Sequence, residues 1–305
     1  DEIFKGFNHV VIKLYNDEVI IEPLKEEKEQ QIAKSKAFSK TPTAIEIFAG
    51  GGTLVKALSD AGIKTVAAVE LEDKYLQSLE ANNPNVTTYC GDLAKIDISM
   101  LPKADMVVAG IPCEGYSQAQ TKKSEKFEAH PTGSLGFYVL KIIDAIRPAV
   151  VLIEEVPNFK SSAMASMTRY VLDSMGYHIS ETELVGSDYG SLTKRKRYCM
   201  VASIKKGFEF DDSLKKINTR TVRDILEVPV ENRDWLDKNN SATISYSLEK
   251  EKEHIRKGEG FRIGRTYLDD KVTPTITKGY FKGRLTDPIL CHPTIPDTYS
   301  WFTPR

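Results

Sequence analysis

The chain has 305 residues, and its 42 Lys and Arg residues against 43 Asp and Glu residues give a formal net charge of -1. This length can bury the cores of two domains of unequal size. The near-neutral balance excludes a protein that holds polyanions through its overall field, although local basic clusters can still bind them. No apolar run approaches the roughly 20 residues that span a bilayer, and the opening residues lack a secretory pattern. We therefore expect a soluble, cytoplasmic enzyme with no membrane partner.

The first forty residues predict local structure but no chemistry. Residues 10–21 predict a hairpin that turns at Asn16 and Asp17, and residues 26–36 predict a charged helix. We treat residues 1–43 as an N-terminal extension of unknown role.

From Ala44 onward, short apolar runs alternate with helical stretches. The predicted strands are residues 45–48, 65–70, 107–109, 150–153, 178–184 and 198–203, and the predicted helices are residues 54–61, 75–82, 138–146 and 164–175. Alternating strands and helices are typical of an α/β domain with a doubly wound, mainly parallel sheet. This domain is predicted to cover residues 44–205.

After about Lys205 the alternation is lost, and aromatic residues stand among Gly, Thr and basic residues. This change predicts a second, smaller domain over residues 206–297. From Lys250 to Arg284 there are ten Lys or Arg residues against five Asp or Glu residues. Such an excess is typical of a phosphate-facing surface, and an ordinary solvated face is the alternative.

The four cysteines are far apart and form no Cys-x-x-Cys pair, so neither a disulfide framework nor a metal site is expected. Cys90 and Cys199 lie in strand-like runs, which predicts small buried side chains. Cys113 differs, because it follows the strand at 107–109 and precedes a loop that contains glycine. It is a candidate nucleophile at the mouth of the sheet.

Two other strand ends carry chemistry. The first predicted strand breaks into Gly50, Gly51 and Gly52, and the strand at 150–153 is followed by Glu154 and Glu155. Open α/β sheets place their sites at the carboxyl ends of the strands. The three strand ends therefore predict a cofactor loop, a nucleophile and an acid. Glu70, about 20 residues beyond the glycines, stands where a ribose-binding carboxylate is expected.

In this order and spacing, the three strand ends, the basic cluster at 194–197 and the run at 302–305 resemble the DNA (cytosine-5)-methyltransferase family. The resemblance extends from Ala44 to Arg305. It implies a class I, Rossmann-like methyltransferase fold that binds S-adenosylmethionine and releases S-adenosylhomocysteine. It also implies that residues 206–297 are a target-recognition domain and that residues 298–305 begin the return to the catalytic domain.

The implied reaction is methyl transfer to C5 of a cytosine that is swung out of a short specific sequence in double-stranded DNA. By resemblance, the Cys113 thiolate adds to C6, Glu154 protonates N3, Arg197 grips the cytosine carbonyl, and Arg195 supports the active-site loop or a phosphate. The cofactor-binding residues so implied are Phe48, Ala49, Gly50, Gly52, Thr53, Leu54, Glu70, Leu71, Asp92, Leu93 and Pro112. The candidate DNA contacts are Ser117, Lys122, Lys123, Arg262, Arg265, Lys278, Lys282 and Arg284.

The chain departs from the family pattern at Glu114, Glu155 and Thr193, where the family usually has Gln, Asn and Gln. The last family motif would follow Arg305, which is consistent with a longer natural chain, with a second polypeptide, or with substitution by the N-terminal hairpin. Without a second polypeptide we expect a monomer. The resemblance also suggests a restriction-modification or phage origin and a nucleoid-associated location. Two alternatives remain open: a catalytically weak scaffold or split-enzyme subunit, and an RNA cytosine-5 methyltransferase.

Overall fold

The computed structural model describes residues 10–15, 18–23, 41–112, 134–216, 219–277 and 280–302. The chain divides into two compact units. The first unit comprises Asp1–Glu183 and Arg197–Phe210, and the second comprises Leu184–Lys196 and Asp211–Arg305. The domain boundaries predicted after residues 43, 205 and 297 stay predictions.

A seven-stranded sheet forms the centre of the first unit, and a separate hairpin precedes it in the chain. The strands are β1 (Val10–Tyr15), β2 (Glu18–Pro23), β3 (Thr43–Ile47), β4 (Lys64–Glu70), β5 (Thr87–Cys90), β6 (Met106–Gly110), β7 (Val150–Glu155), β8 (His178–Val185) and β9 (Lys196–Ser203). The helices are α1 (Thr53–Asp60), α2 (Asp73–Asn82), α3 (Leu135–Ile146) and α4 (Ala163–Ser174).

The sheet has the strand order β5-β4-β3-β6-β7-β9-β8. The pairs of β3 with β4 and β6, of β4 with β5, and of β6 with β7 are parallel, whereas β7 and β9 are antiparallel. The prediction of a mainly parallel sheet is therefore confirmed. Because these parallel strands share one direction, the carboxyl ends of β3, β4, β5, β6 and β7 meet at one edge of the sheet.

Helices cover both faces of this sheet, which explains why its central strands are apolar on both sides. Ile45 and Val107 are completely buried on one face, where Ile143 of α3 packs in the main core. On the other face, Leu58 of α1 packs against Ala44 and Val108. These strands therefore form a closely packed layer between the helices.

The second unit has a small mixed sheet and one long helix. Strand β10 (Gly264–Thr266) pairs in parallel with β11 (Pro288–Cys291), which pairs antiparallel with β12 (Tyr299–Ser300). Helix α5 (Ala242–Arg256) supplies Ile244 and Leu248 to the core of this unit. Gly264 is required where β10 meets β11, because a Cβ atom there would overlap the carbonyl oxygen of Asp287.

Most predicted elements are present. Strands β1 and β2 form the predicted antiparallel hairpin, with Tyr15 opposite Glu18. Its turn at Asn16 and Asp17, and the predicted helix at 26–36, lie outside the described residues. Every strand and helix predicted between residues 44 and 203 is found with small shifts of its ends.

The prediction for Cys90 is wrong, whereas that for Cys199 is confirmed. Cys90 is exposed because it ends β5, an edge strand of the sheet, and Cys199 is buried in the more central β9. Among the described helices, none has the length and apolar character needed to cross a membrane.

Candidate active site

The loop that follows β3 has the tight backbone that the glycines predict. Phe48, Gly50 and Gly52 have φ angles of 62°, 53° and 87°. Gly52 is the N-cap residue just before α1, and a Cβ atom at this position would lie 3.1 Å from Cγ of Leu79 and 3.2 Å from Nδ2 of Asn83. A left-handed residue this close to a neighbouring helix has to be glycine. The loop therefore places bare backbone at the edge of the sheet.

Glu70 ends β4 and fixes this loop. Its Oε2 accepts a hydrogen bond from the Gly50 N–H at 2.8 Å. Its Oε1 accepts from the N–H groups of Leu71 and Glu72 at 2.9 and 3.1 Å. Three backbone donors orient the carboxylate beside the glycine loop. Its predicted role in ribose binding stays a prediction.

Asp92 and Leu71 lie beside Glu70. Oδ1 of Asp92 accepts from the N–H of Ala94 at 3.0 Å, which fixes an Asx turn just after β5. Leu71 has 60% of its surface exposed, which is unusual for a large apolar side chain at the end of a buried strand. The edge thus offers two fixed carboxylates and one uncovered apolar side chain.

Glu46 is a buried carboxyl group that the sequence analysis did not single out. It stands in β3, is 1% exposed and accepts a hydrogen bond from the Val55 N–H in the first turn of α1. Burial, above all, raises the pKa of Glu46 to about 8, and nearby Glu70 raises it as well. In the sequence, the feature that points to this buried group is a charged residue inside the apolar run 44–47.

The ends of β6 and β7 bring Gly110 and Glu154 side by side. A Cβ atom on Gly110 would lie 3.6 Å from Oε2 of Glu154 and 3.7 Å from Cδ1 of Leu54. The missing side chain leaves room above the strand between these groups. Ile111 and half-buried Pro112 continue from β6, and Cys113, the next residue, lies outside the described part of the chain.

Arg197 of β9 forms an ion pair with Glu154, whose Oε1 lies 2.6 Å from the arginine Nε. The two side chains are 21% and 29% exposed, so the pair is neither sealed in the core nor freely solvated. The structure thus brings together two residues that are 43 positions apart and that the sequence predicted as catalytic. A carboxyl group and a guanidinium held in this way can present a donor and a counter-charge to a polar ring.

Two further titratable groups adjoin this ion pair. Cys199 is opposite Glu154 in the β7–β9 register, and burial followed by the charge of Glu154 raises the pKa of its thiol to about 11. Glu155 is 1% exposed, and burial raises the pKa of its carboxyl group to about 8. Both groups are therefore neutral near pH 7. In the sequence, Glu155 stands out only as a departure from the family pattern.

The other predicted site residues are placed as follows. Ala49 and Leu93 are buried, Thr53 is exposed, and Arg195 is exposed in the second unit, where its carbonyl accepts from the Gly186 N–H. The predicted contacts Ser117, Lys122, Lys123 and Lys278 lie outside the described residues, as does Glu114.

Four predicted DNA contacts are described, and they differ in environment. Arg262, Lys282 and Arg284 are exposed. The guanidinium of Arg265, in contrast, is bound by the 8%-exposed side chain of Glu251 through two hydrogen bonds of 2.8 Å. Its position is set by this ion pair inside the second unit.

The residues at the sheet edge fit a nucleoside cofactor. The two fixed carboxylates, Glu70 and Asp92, can accept from ribose hydroxyls and from an amino group, and exposed Leu71 can cover a base. A Cβ atom on Gly50 would meet nothing within 4 Å, so the backbone of this loop is open to a ligand. Among the described residues, no group of three or more His, Cys, Asp or Glu side chains could hold a metal ion.

Comparison with known proteins gives one family. The model of the C-5 cytosine-specific DNA methylases matches residues 43–288. Type II methyltransferase M.DsaV of Dactylococcopsis salina is 28% identical over 252 residues, which cover 78% of this chain and 67% of that protein. Type II methyltransferase M.MspI of Moraxella sp is 27% identical over 248 residues, which cover 79% and 54%. The chain thus spans about half to two thirds of the length of these curated relatives.

A solved structure supports the fold. The Dnmt2 methyltransferase of S. pombe superposes with a TM-score of 0.65 at 18% identity, over 84% of this chain and 78% of that one. Together with the mainly parallel sheet, this likeness confirms the Rossmann-like methyltransferase fold. From the match over residues 43–288, the chain belongs to the C-5 cytosine-specific DNA methylase family, which is a family of methyltransferase enzymes.

Proposed function

We propose that this protein transfers a methyl group from S-adenosylmethionine to C5 of a cytosine that is flipped out of a specific duplex DNA sequence. The observation that carries the proposal is the ion pair of Glu154 and Arg197. The pair stands beside Gly110, and Cys113 follows Gly110 by three residues in the chain. Family membership supports the reaction class, and the Type II names of the relatives suggest a place in restriction-modification.

Cofactor binding is assigned to the edge formed by β3, β4 and β5. Glu70 would accept from the ribose hydroxyls while it holds the loop at Gly50, and Asp92 would accept from the adenine amino group. Leu71 would cover one face of the adenine. When bound, the cofactor supplies an electrophilic methyl group, and the chain's part is to hold it near the end of β6.

The Cys113 thiolate forms a bond to C6 of the cytosine, which makes C5 nucleophilic. Glu154 donates a proton to N3 as negative charge develops on the ring, and Arg197 orients Glu154 and binds the ring carbonyl. After C5 has received the methyl group, the C5 proton passes to water, the thiolate leaves C6, and N3 returns its proton to Glu154, which restores the neutral aromatic ring. Arg195 supports the loop or a phosphate.

A base cannot react in this way inside the stack, so the duplex has to release it. The exposed residues Arg262, Lys282 and Arg284 are proposed as phosphate or base contacts, along with Ser117, Lys122, Lys123 and Lys278. Cytoplasmic action on chromosomal or phage DNA follows from this substrate.

The test is base-resolution cytosine methylation sequencing of DNA from cells that express the complete reading frame. The proposal predicts a mark confined to one short motif, which is lost in Cys113→Ala and kept in the control Lys206→Ala, which changes an exposed side chain just beyond β9. Absence of a mark in all three strains would contradict the proposal. Transfer RNA from the same cells, and a co-expressed partner chain, would then distinguish the RNA and split-enzyme alternatives.

A further inference from the structure

Glu155 ends β7 with a carboxyl group that is almost completely enclosed. It is 1% exposed and lies on the same face of the strand as Val151 and Ile153, opposite to the face of Glu154. Its Oε2 accepts a hydrogen bond from the Val156 N–H. Its buried Oε1 has no hydrogen-bond partner among the residues that the structure describes. A charged carboxylate is therefore poorly solvated at this position.

The charged groups around Glu155 come from three other elements and from β7 itself. Glu154 precedes it on β7, and Arg197 of β9 has its Nε bonded to Glu154 at 2.6 Å. Tyr198 stands opposite Glu155 in the register and donates its hydroxyl to Glu181 of β8. Glu181 is in turn bonded to Arg169 of α4 at 2.6 Å. Each guanidinium is thus hydrogen-bonded to a glutamate other than Glu155.

Burial of an ionised carboxylate without full hydrogen bonding is costly, so the protonated form is favoured. Burial is the main cause that raises the pKa of Glu155 to about 8, and the charge of Glu154 adds to it. The Val156 N–H and Arg197 act in the opposite direction. Near pH 7 the carboxyl group of Glu155 is therefore neutral in most molecules.

We propose that Glu155 is a positioning residue whose neutral form keeps a second negative charge away from the Glu154–Arg197 pair. The proposal rests on the proposed function in one respect only, namely that the Glu154–Arg197 pair serves methyl transfer. When Glu155 releases its proton to solvent, a second negative charge stands next to the pair, where it repels the Glu154 carboxylate and attracts Arg197. The pair then loosens, and methyl transfer slows.

The first test needs no turnover. The side-chain Nε–H signal of Arg197 is followed by ¹⁵N NMR from pH 6 to 9.5, after assignment through its loss in Arg197→Lys. In the unchanged protein we expect the signal to move with a midpoint near pH 8. In Glu155→Gln it should stay fixed, whereas the control Glu183→Gln, which removes an exposed glutamate of β8, should match the unchanged protein. A signal that does not move, or that moves equally in Glu155→Gln, would overturn the proposal.

The second test uses single-turnover rates of methyl transfer. Titrations shared by both proteins cancel in the ratio of the Glu155→Gln rate to the unchanged rate. A group with a pKa near 8 passes from mostly neutral to mostly ionised between pH 7 and pH 9, so this ratio should rise about tenfold. A constant ratio would overturn the proposal. Absence of methyl transfer in both proteins would count against the proposed function, and the NMR result would still decide the case for Glu155.

Discussion

Nε of Arg197 lies 2.6 Å from Oε1 of Glu154, across the antiparallel pair of β9 and β7. The contact joins a residue near the end of the first unit to the end of a central strand. Because β7 also lies in parallel beside β6, the same carboxyl group reaches the space above Gly110. One ion pair therefore connects the basic cluster of the sequence with the strand that leads to Cys113.

Replacement of Arg197 by Ala should lower the single-turnover rate of methyl transfer by about 100-fold or more, because Glu154 loses its orienting partner and the ring loses a donor. Lys206→Ala removes an exposed positive charge just beyond β9 and should leave the rate nearly unchanged. Rates measured on the methylated motif check this prediction. Equal rates for Arg197→Ala and Lys206→Ala would rule out a catalytic role for the pair.

Replacement of Glu70 by Ala should weaken S-adenosylmethionine binding at least tenfold. The change removes the acceptor of the Gly50 N–H and leaves two further backbone donors unpaired, so the loop loses its fixed shape. Isothermal titration calorimetry measures the effect, with Glu72→Ala as a control for loss of a surface carboxylate nearby. An unchanged affinity in Glu70→Ala would show that the cofactor binds elsewhere.

The buried carboxyl groups Glu46 and Glu155 should make stability depend on pH. Each has a pKa near 4.5 when exposed and about 8 in the folded protein, so the folded form binds more protons between these values. The free energy of unfolding should fall as pH rises from about 4.5 to 8, by at most about 1.4 kcal/mol per pH unit for each group.

Thermal denaturation from pH 5 to 9 measures this dependence. Glu155→Gln and Glu46→Gln should each flatten the decline, since a neutral amide has no proton to lose. Each variant should therefore gain stability relative to the unchanged protein as the pH rises toward 8. A decline of the same slope in both variants would contradict burial of these groups as acids.

Gly264→Ala should destabilise the second unit by about 1–3 kcal/mol or more, because the new Cβ atom meets the Asp287 carbonyl across the β10–β11 pair. Gly260→Ala is the matched control, since a Cβ atom there has no neighbour within 4 Å. Chemical denaturation followed by the fluorescence of Trp235 and Trp301 reports on this unit. Similar stabilities of the two variants would contradict the close strand contact.

Replacement of Arg262 or Arg284 by alanine should affect DNA binding, whereas replacement of Arg265 should affect stability. Arg262→Ala and Arg284→Ala should each weaken DNA binding without a change in thermal stability. Each should also lower the salt dependence of the affinity by the amount that about one phosphate contact contributes. Arg265→Ala should lower thermal stability, because it leaves the buried carboxylate of Glu251 unpaired. Fluorescence anisotropy across a salt series, beside melting curves, tests both. A stable Arg265→Ala variant would refute the structural assignment.

The sequence predicted the layers of the first unit because its apolar runs have the length and spacing of strands and helices. It also predicted Glu154 and Arg197 as partners in one site, which the structure brings together at 2.6 Å. The protonation of Glu46 and Glu155 could not be predicted, since it depends on enclosure by elements far apart in the chain. The same holds for Cys90, whose exposure follows from the place of β5 at the sheet edge.

The second unit was less predictable for a related reason. Its strands are two to four residues long, too short to show a period-two pattern. The pairing of Arg265 with Glu251 joins a strand to the interior of α5 and leaves no local signal. An arginine in a basic stretch therefore resembles a DNA contact until its partner is seen.

The central claim is tested most directly by trapping the covalent step. The test uses a duplex that contains the methylated motif and carries fluorine in place of hydrogen at C5 of the target cytosine. After methyl transfer this C5 has no proton to lose, so the bond between the protein and C6 stays. The account predicts a stable protein–DNA adduct that forms only with S-adenosylmethionine, and mass spectrometry should map it to Cys113. An adduct on another residue, or methylation of the normal duplex without any adduct on the fluorinated one, would contradict it.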